Sequence, residues 1–298
     1  MTEPRMCLDA VPAPENRDYE KEVAQVENPA NAPGPLSLER LVRVARIEPP
    51  LAAVLLTGKR WQPGRTINVS FLDGPAALHQ RVREKMLELQ RYANLTLQFV
   101  TSGGDVRITF TRGGSWSYVG TDNLLIPKAK PTMQLGWLTE DSREDELNRV
   151  VKHETLHAFG LGHEQGHPEG AIPWDKPKVY DYYARTQGWS RTQVDAQVFQ
   201  KYAETQTNYS AYDPESIMHY PVDNALTVGD FEVGFNADLS EADKKYLGLW
   251  YPFPQEPKLE KWKRRASLIG TRIEKREAAN REDSRVLAWL ERQIRRVS

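Results

Sequence analysis

Three histidines and one glutamate stand close together in this sequence. His153-Glu154-Thr-Leu-His157 is followed, after Ala-Phe-Gly160-Leu-Gly, by His163. On a helix, residues 153 and 157 project from one face, so both imidazoles can meet a single ion. Gly160 can take positive φ, which ends the helix and turns the chain back. His163 then arrives as a third ligand. Three neutral imidazoles on a tetrahedral ion leave one position open, the arrangement of a catalytic zinc site rather than a closed structural one. Zinc lowers the pKa of a coordinated water to about 7 and polarises a carbonyl. Glu154 is not needed as a ligand and is placed to take that water's proton and deliver it to a leaving amine. A bare HExxH arises by chance in about one chain in a hundred of this length, and requiring the glycine and third histidine cuts that about a thousandfold. The alternatives are core or surface histidines on an ordinary helix, or a closed zinc site. Closed sites usually recruit cysteine, and this chain has one, Cys7.

The elements that must position these residues follow from pattern. A long helix is expected from Ser142 to Phe159, with Ser142 and Asp145 forming a capping box and Gly160 the stop. Strands are expected at 66–72, 95–100, 106–111, 115–119 and 132–137, and a helix at 76–93. Further helices are expected at 176–185, 191–202 and 240–247, the last stopping at Gly248. Residues 1–58 are rich in Pro, Ala and Glu and read as an extended, weakly structured arm with one helical stretch at 37–47. Residues 255–298 read as a basic amphipathic helix with Val286, Leu290, Ile294 and Val297 on one face. The body between, 59–254, carries the chemistry.

A second motif lies about 55 residues beyond His163: Ser216-Ile-Met218-His219-Tyr220. HExxHxxGxxH followed by Glu164 and then SIMHY resembles the astacin family of metzincin peptidases. The segments 114–120 (GSWSYVG), 131–137 (PTMQLGW), 174–176 (WDK) and 239–243 (LSEAD) are similar to its bacterial and fungal branch. The resemblance covers roughly residues 58–254. It implies an α+β metzincin fold: a twisted, mostly parallel sheet and the long active-site helix in an upper lobe, above a loop-rich lower lobe. It implies a zinc endopeptidase acting on extended protein or peptide chains, with Met218 as an apolar floor under the metal. Tyr220 would be a displaceable fifth ligand that stabilises the oxyanion. Trp116, Ser117, Tyr118 and Val119 would form the edge that pairs with substrate, since an edge strand offers unpaired backbone groups to an extended peptide.

The sequence departs from the family pattern in three places. One cysteine permits no intrachain disulfide. Gln165 stands where the family often has His. Glu164, which in the family can bind the new N-terminus of the processed enzyme, has no evident cleavage site to serve here. Family zymogens block the metal through a pro-segment, commonly with an aspartate; no such aspartate motif occurs in residues 1–58. Cys7 is the alternative candidate, because a thiolate is a strong zinc ligand; the other reading is an incidental, surface or lightly buried thiol. His219 is expected to pack behind the site, and His79 and His167 to lie on the surface.

Composition sets outer bounds. The chain has 298 residues, 27% charged and 39% hydrophobic, with a formal net charge of −1. That is the make-up of a globular protein and argues against a polyanionic partner. Charge is uneven: residues 258–298 carry 13 Lys/Arg against 6 Asp/Glu. Basic charge alone is a weak indicator of nucleic-acid binding, and none is expected. No stretch is long enough to cross a bilayer and no leader-like run opens the chain. As written the chain reads as soluble and intracellular, whereas the family resemblance implies secretion; a monomer is expected. The sequons at Asn68, Asn94 and Asn208 matter only in a secretory pathway. A partner-binding protein on the same scaffold would have no need of Glu154. A metallohydrolase with a non-peptide substrate is the remaining alternative.

Overall fold

The computed structural model describes residues 6–17, 19–32, 55–202, 207–208 and 212–254, with a few single positions beyond. The expected helix at 37–47 and nearly all of the basic C-terminal segment lie outside the described residues. The chain divides into two compact units, Met1–Phe253 and Pro254–Ser298. Among the described residues no helix is long and apolar enough to cross a membrane.

The strands are β1 (Cys7–Ala10), β2 (Leu55–Leu56), β3 (Thr66–Phe71), β4 (Thr96–Phe99), β5 (Val106–Thr109), β6 (Ser115–Tyr118), β7 (Met133–Leu135) and β8 (Thr207–Asn208). Six of them form one sheet in the order β1-β6-β7-β5-β3-β4; β2 and β8 make a separate antiparallel pair. Within the large sheet only β6 and β7 run antiparallel. This is the expected mixed fold with a mostly parallel sheet. The central strand β5 is buried at every position, as a strand covered on both faces must be.

The described helices are α1 (Pro14–Arg17), α2 (Glu20–Glu27), α3 (Ala76–Glu88), α4 (Glu144–Phe159), α5 (Lys176–Gln187), α6 (Arg191–Val194) and α7 (Glu241–Trp250). α3 buries Leu78, Val82 and Met86 at four-residue spacing, and α4 buries Leu147, Val150, Val151 and Leu156. These residues share one core with Ile67, Val69 and Ile108 from the sheet. The core fixes α4 along the sheet, and α4 carries the first two histidines.

Several boundaries differ from those read in the sequence. Ser142 does not cap α4: its Oγ accepts the Thr139 amide at 2.8 Å. The N-cap is Arg143, without a side-chain bond, and Glu144, Asp145 and Glu146 crowd the first turn instead. Acids there oppose the positive end of the helix dipole and do part of a cap's work. The 191–202 helix is only α6 followed by a π turn at Asp195–Phe199. α7 does not stop at Gly248 but runs through it to Trp250, because Leu247, Trp250 and Tyr251 all bury in the main core.

The largest difference lies at the N-terminus. Cys7–Ala10 is a strand, Pro14–Arg17 and Glu20–Glu27 are helices and Pro29–Asn31 is a 3-10 turn, rather than a weakly structured arm. Tertiary contacts supply what the local sequence lacks. The Asn28 side chain donates to the Trp61 carbonyl at 3.0 Å. Asn31 bridges the Ala24 and Arg60 carbonyls, at 2.8 Å each. Glu27 pairs with Arg65.

Candidate metal centre

His153 and His157 lie in the last turns of α4. Gly160 follows in the left-handed region at φ 109°, where a side chain would be strained, and its amide returns to the His157 carbonyl. Three residues on, His163 opens a 3-10 turn, Glu164–Gly166. All three imidazoles are buried. Their Nε2 atoms form a near-equilateral triangle: 3.0 Å from 157 to 153, 3.1 Å from 157 to 163 and 3.2 Å from 153 to 163.

This triangle fits a metal. The Nδ1 of His153 donates to the Ile217 carbonyl at 2.8 Å, and that of His157 to the Leu161 carbonyl at 2.9 Å. With the proton held on Nδ1, each Nε2 presents a lone pair, as bonds from the far ring nitrogen do at metal-bound histidines. Burial first, then the His157 and His163 rings, holds His153 well below the ordinary histidine value, so it stays neutral. Lone pairs facing one another repel unless a cation lies between them. Separations near 3 Å suit three nitrogens sharing one ion at roughly 2.0–2.1 Å each. No other such group of His, Cys, Asp or Glu occurs among the described residues.

The surrounding residues come from two directions. Glu154, next to His153, is fully buried. Met218 is buried in the main core, and its carbonyl accepts the Glu164 amide at 3.0 Å, locking the methionine turn to the third-ligand loop. The Tyr220 ring packs edge-on to His163 with centroids 4.6 Å apart. Its hydroxyl donates to the Cys7 carbonyl. His219 packs behind, hydrogen-bonded to Tyr212 and to the Tyr220 carbonyl, and burial pushes it down to about 4. His167 is fully buried rather than on the surface, with its Nδ1 accepting the Glu169 amide at 3.0 Å. His79 is half-buried and stacks on Phe71 at 4.0 Å.

The strand expected to receive substrate already has a partner. β6 pairs in parallel with β1, with Cys7 opposite Ser115, Leu8 opposite Trp116, Asp9 opposite Ser117 and Ala10 opposite Tyr118. Val119 follows β6 and is buried. Cys7 is buried and lies outside the three-histidine set. Its thiol instead lies within the electrostatic reach of the Glu154 carboxylate and of the Arg149 guanidinium. Burial, then the Glu154 charge, raises the thiol well above its ordinary value, so in this arrangement the proton stays on sulfur. A cavity of about 10 Å3 remains between Met6, Cys7, Arg149, His153 and Tyr220, room for about one water.

Sequence reasoning missed Arg149 and its neighbours. Arg149 lies one turn before His153, is held by two bonds to Glu146 at 3.1 and 2.9 Å, and lies 4.7 Å from the Phe235 ring. Its position on the histidine face of α4 was the available sign. Asp243, the last residue of the 239–243 segment, carries no sign of its role in the sequence pattern. Its carboxylate accepts from Ser216 Oγ at 2.7 Å and from the Ile217 amide at 2.9 Å, bracing the carbonyl that orients His153.

A buried triad of histidines on a helix and its return loop, with a glutamate beside it and a methionine turn bonded to that loop, defines a metzincin-type zinc centre. Comparison with known proteins agrees. No protein-family model matches the chain. The solved structure of myroilysin is 42% identical, covering 68% of this chain and all of that one, with a TM-score of 0.66. A crystal structure of myroilysin is 41% identical over 65% of this chain and 86% of that one, with a TM-score of 0.52. The zinc metalloproteinase dpy-31 of Teladorsagia circumcincta is 28% identical over 204 residues, 62% of this chain but 29% of that protein. The chain thus spans under a third of the length of that curated relative. This chain belongs to the astacin-like zinc metalloproteinases, and zinc is the metal the three histidines are built to hold.

Proposed function

We propose that this protein is a zinc endopeptidase that hydrolyses extended protein or peptide chains and is held latent by its own N-terminal arm. His153, His157 and His163 hold the ion, which when bound supplies a water acidic enough to react near neutral pH and polarises a carbonyl. Glu154 then has one task, taking a proton at a carboxylate oxygen and giving it to the departing amine. Its burial beside the ion keeps bulk water from competing for that proton. Tyr220 holds the carbonyl oxygen under attack. Its bond to the Cys7 carbonyl supports this reading, since there the hydroxyl already donates to a peptide carbonyl. Residues 116–119 offer backbone groups to align the chain being cut, as 116–118 do for β1.

The observation that carries latency is the parallel pairing of β1 with β6, which sets Cys7 against Glu154. An arm in that place occupies the substrate edge, engages the base and uses the Tyr220 hydroxyl at once. Cys7 is also the arm's thiol at the site; it keeps its proton beside Glu154, and it is the ligand the arm would offer the ion on giving that proton up.

The test is zinc content and protein digestion by the full chain and by a chain lacking residues 1–32. Zinc in both, with digestion in the shortened chain well above that of the full chain, is expected. Equal digestion by the two would remove latency. Zinc binding without digestion in either would remove the peptidase reading.

A further inference from the structure

His153 and His157 owe their places to a helix, but His163 lies beyond it, in a loop. We propose that Lys201 and Tyr202 are positioning residues for this third ligand, a strap that holds residues 163–170 in the shape that lets His163 meet the ion. This rests on the zinc centre alone and not on peptidase activity or latency.

The strap touches the loop at several points. The Tyr202 hydroxyl accepts the backbone N–H of His163 itself, at 2.9 Å. That amide opens the 3-10 turn and has no partner within it. The Tyr202 amide donates to the Gly166 carbonyl at 2.9 Å, which ties the far end of the same turn. The Tyr202 ring packs closely against Gly162 and Gly166. A Cβ on Gly162 would lie 2.6 Å from the hydroxyl oxygen, and one on Gly166 2.6 Å from the ring edge. The glycines flanking His163 are therefore there to admit the ring. Lys201 Nζ donates to the carbonyls of Gln165 at 3.2 Å, His167 at 2.9 Å and Gly170. One ammonium with three donors satisfies three loop carbonyls that no helix or strand provides for.

The opposite side of the loop is held by the methionine turn. Glu164 donates to the Met218 carbonyl, and the Gln165 side chain accepts the Tyr220 amide at 3.3 Å while donating to the Gln197 carbonyl at 3.2 Å. Gln165, where the family often has His, thus bridges the two supports. The His163 loop is clamped between the methionine turn and the 197–202 segment. The second clamp is made by Gly162, Gly166, Lys201 and Tyr202.

The test is zinc affinity by chelator competition on the full-length protein, read alongside the thermal stability of the metal-free form. Tyr202→Phe removes one oxygen and keeps the ring. Its zinc Kd is expected to rise roughly 10- to 100-fold, the usual cost of losing a group that orients a ligand. Gly166→Ala displaces the ring by a different route and is expected to weaken zinc comparably. Lys201→Met is expected to weaken zinc, with Lys201→Arg recovering part of the loss. A purely structural role would lower the stability of metal-free and zinc-bound forms alike and leave Kd where it was. Wild-type zinc affinity in both Tyr202→Phe and Gly166→Ala would overturn the strap. A wild-type chain that binds no zinc would overturn it together with the metal centre.

Discussion

The hydroxyl of Tyr220 donates to the carbonyl of Cys7, joining the methionine turn to a residue 213 positions earlier in the chain. The hydroxyl proposed to steady a carbonyl during hydrolysis is thereby bonded to the chain's own N-terminal segment. Around this bond the arm adds Met6 to the cluster containing Tyr220, Val179 and Tyr183, and its α2 docks through Asn28 and Glu27. Holding is distributed over the strand, the helix and the thiol. Cys7→Ser is therefore expected to raise activity only part of the way towards that of a chain lacking residues 1–32. A synthetic peptide of residues 5–32 is expected to inhibit the shortened chain when added back. Digestion rates with and without the peptide check this, and no inhibition by a soluble peptide at high micromolar concentration would count against the arm.

Glu154 is next to a ligand but is not one. Glu154→Gln keeps size and removes the ability to carry a proton. It is expected to bind zinc as wild type does and to lose turnover by about 10²–10⁴-fold, the range a positioned base contributes. Zinc content by elemental analysis and kcat on the shortened chain check both halves. Full turnover in the glutamine variant would contradict the assigned role.

Asp243 gives a pH prediction. Burial raises it from 3.8 to about 6, against the bonds it accepts from Ile217, Ser216 and Ser240. A carboxyl whose folded value is raised binds its proton more tightly in the native state, so stability from this group is full below pH 3.8 and is lost as pH rises through about 6. A shift of about two units is worth about 3 kcal/mol. Asp243→Asn can keep the contacts, since its amide oxygen can accept from Ile217 and Ser240 and its NH2 can donate to Ser216. The variant is expected to be more stable than wild type at pH 7 and to lose that advantage near pH 4. Urea denaturation at the two pH values measures the difference. A constant offset between the two proteins would contradict the assignment.

The zinc centre and the central fold were legible in the sequence because local rules fix them. Four-residue spacing places His153 and His157, a glycine turns the chain to His163, and alternation marks β3. What was not legible depends on contacts between distant segments. The strand at Cys7–Ala10 exists because β6 offers it backbone partners, and α2 rests on Asn28 and Asn31 reaching Trp61 and Arg60. A Pro- and Glu-rich segment carries no periodic sign of either. Gly248 reads as a helix stop, yet burial of Trp250 and Tyr251 carries α7 past it. Tyr202 lies 39 residues from His163, and no spacing rule connects them.

Zinc should also stabilise the fold, since the three imidazoles sit in the core with their lone pairs converging. A ligand at a thousand times its Kd adds about 4 kcal/mol to the folded state. Removing zinc with a chelator is expected to lower Tm by several degrees and restoring zinc to recover it. In His163→Ala the chelator is expected to change Tm little. Calorimetry with and without metal checks this, and a wild-type Tm indifferent to chelator would argue against a bound ion.

Tyr220→Phe tests the opening relationship from the other end, because one oxygen serves two purposes. In the shortened chain it should hold the substrate carbonyl as charge grows on the oxygen, so its loss is expected to lower kcat by about 10²-fold, the scale for removing one such donor. KM should change little, since the bond strengthens mainly in the transition state. Zinc affinity should be near that of wild type, because three imidazoles remain. In the full chain the same oxygen anchors the arm, so the peptide of residues 5–32 should inhibit the phenylalanine variant less well than wild type. The two effects oppose each other in the intact protein: the arm is looser, but the enzyme it uncovers is slower. Measuring peptide inhibition and kcat separately resolves them. A variant with weaker inhibition and unchanged kcat would leave Tyr220 as an anchor for the arm alone. Unchanged inhibition with lowered kcat would mean that its bond to Cys7 contributes nothing to holding the arm.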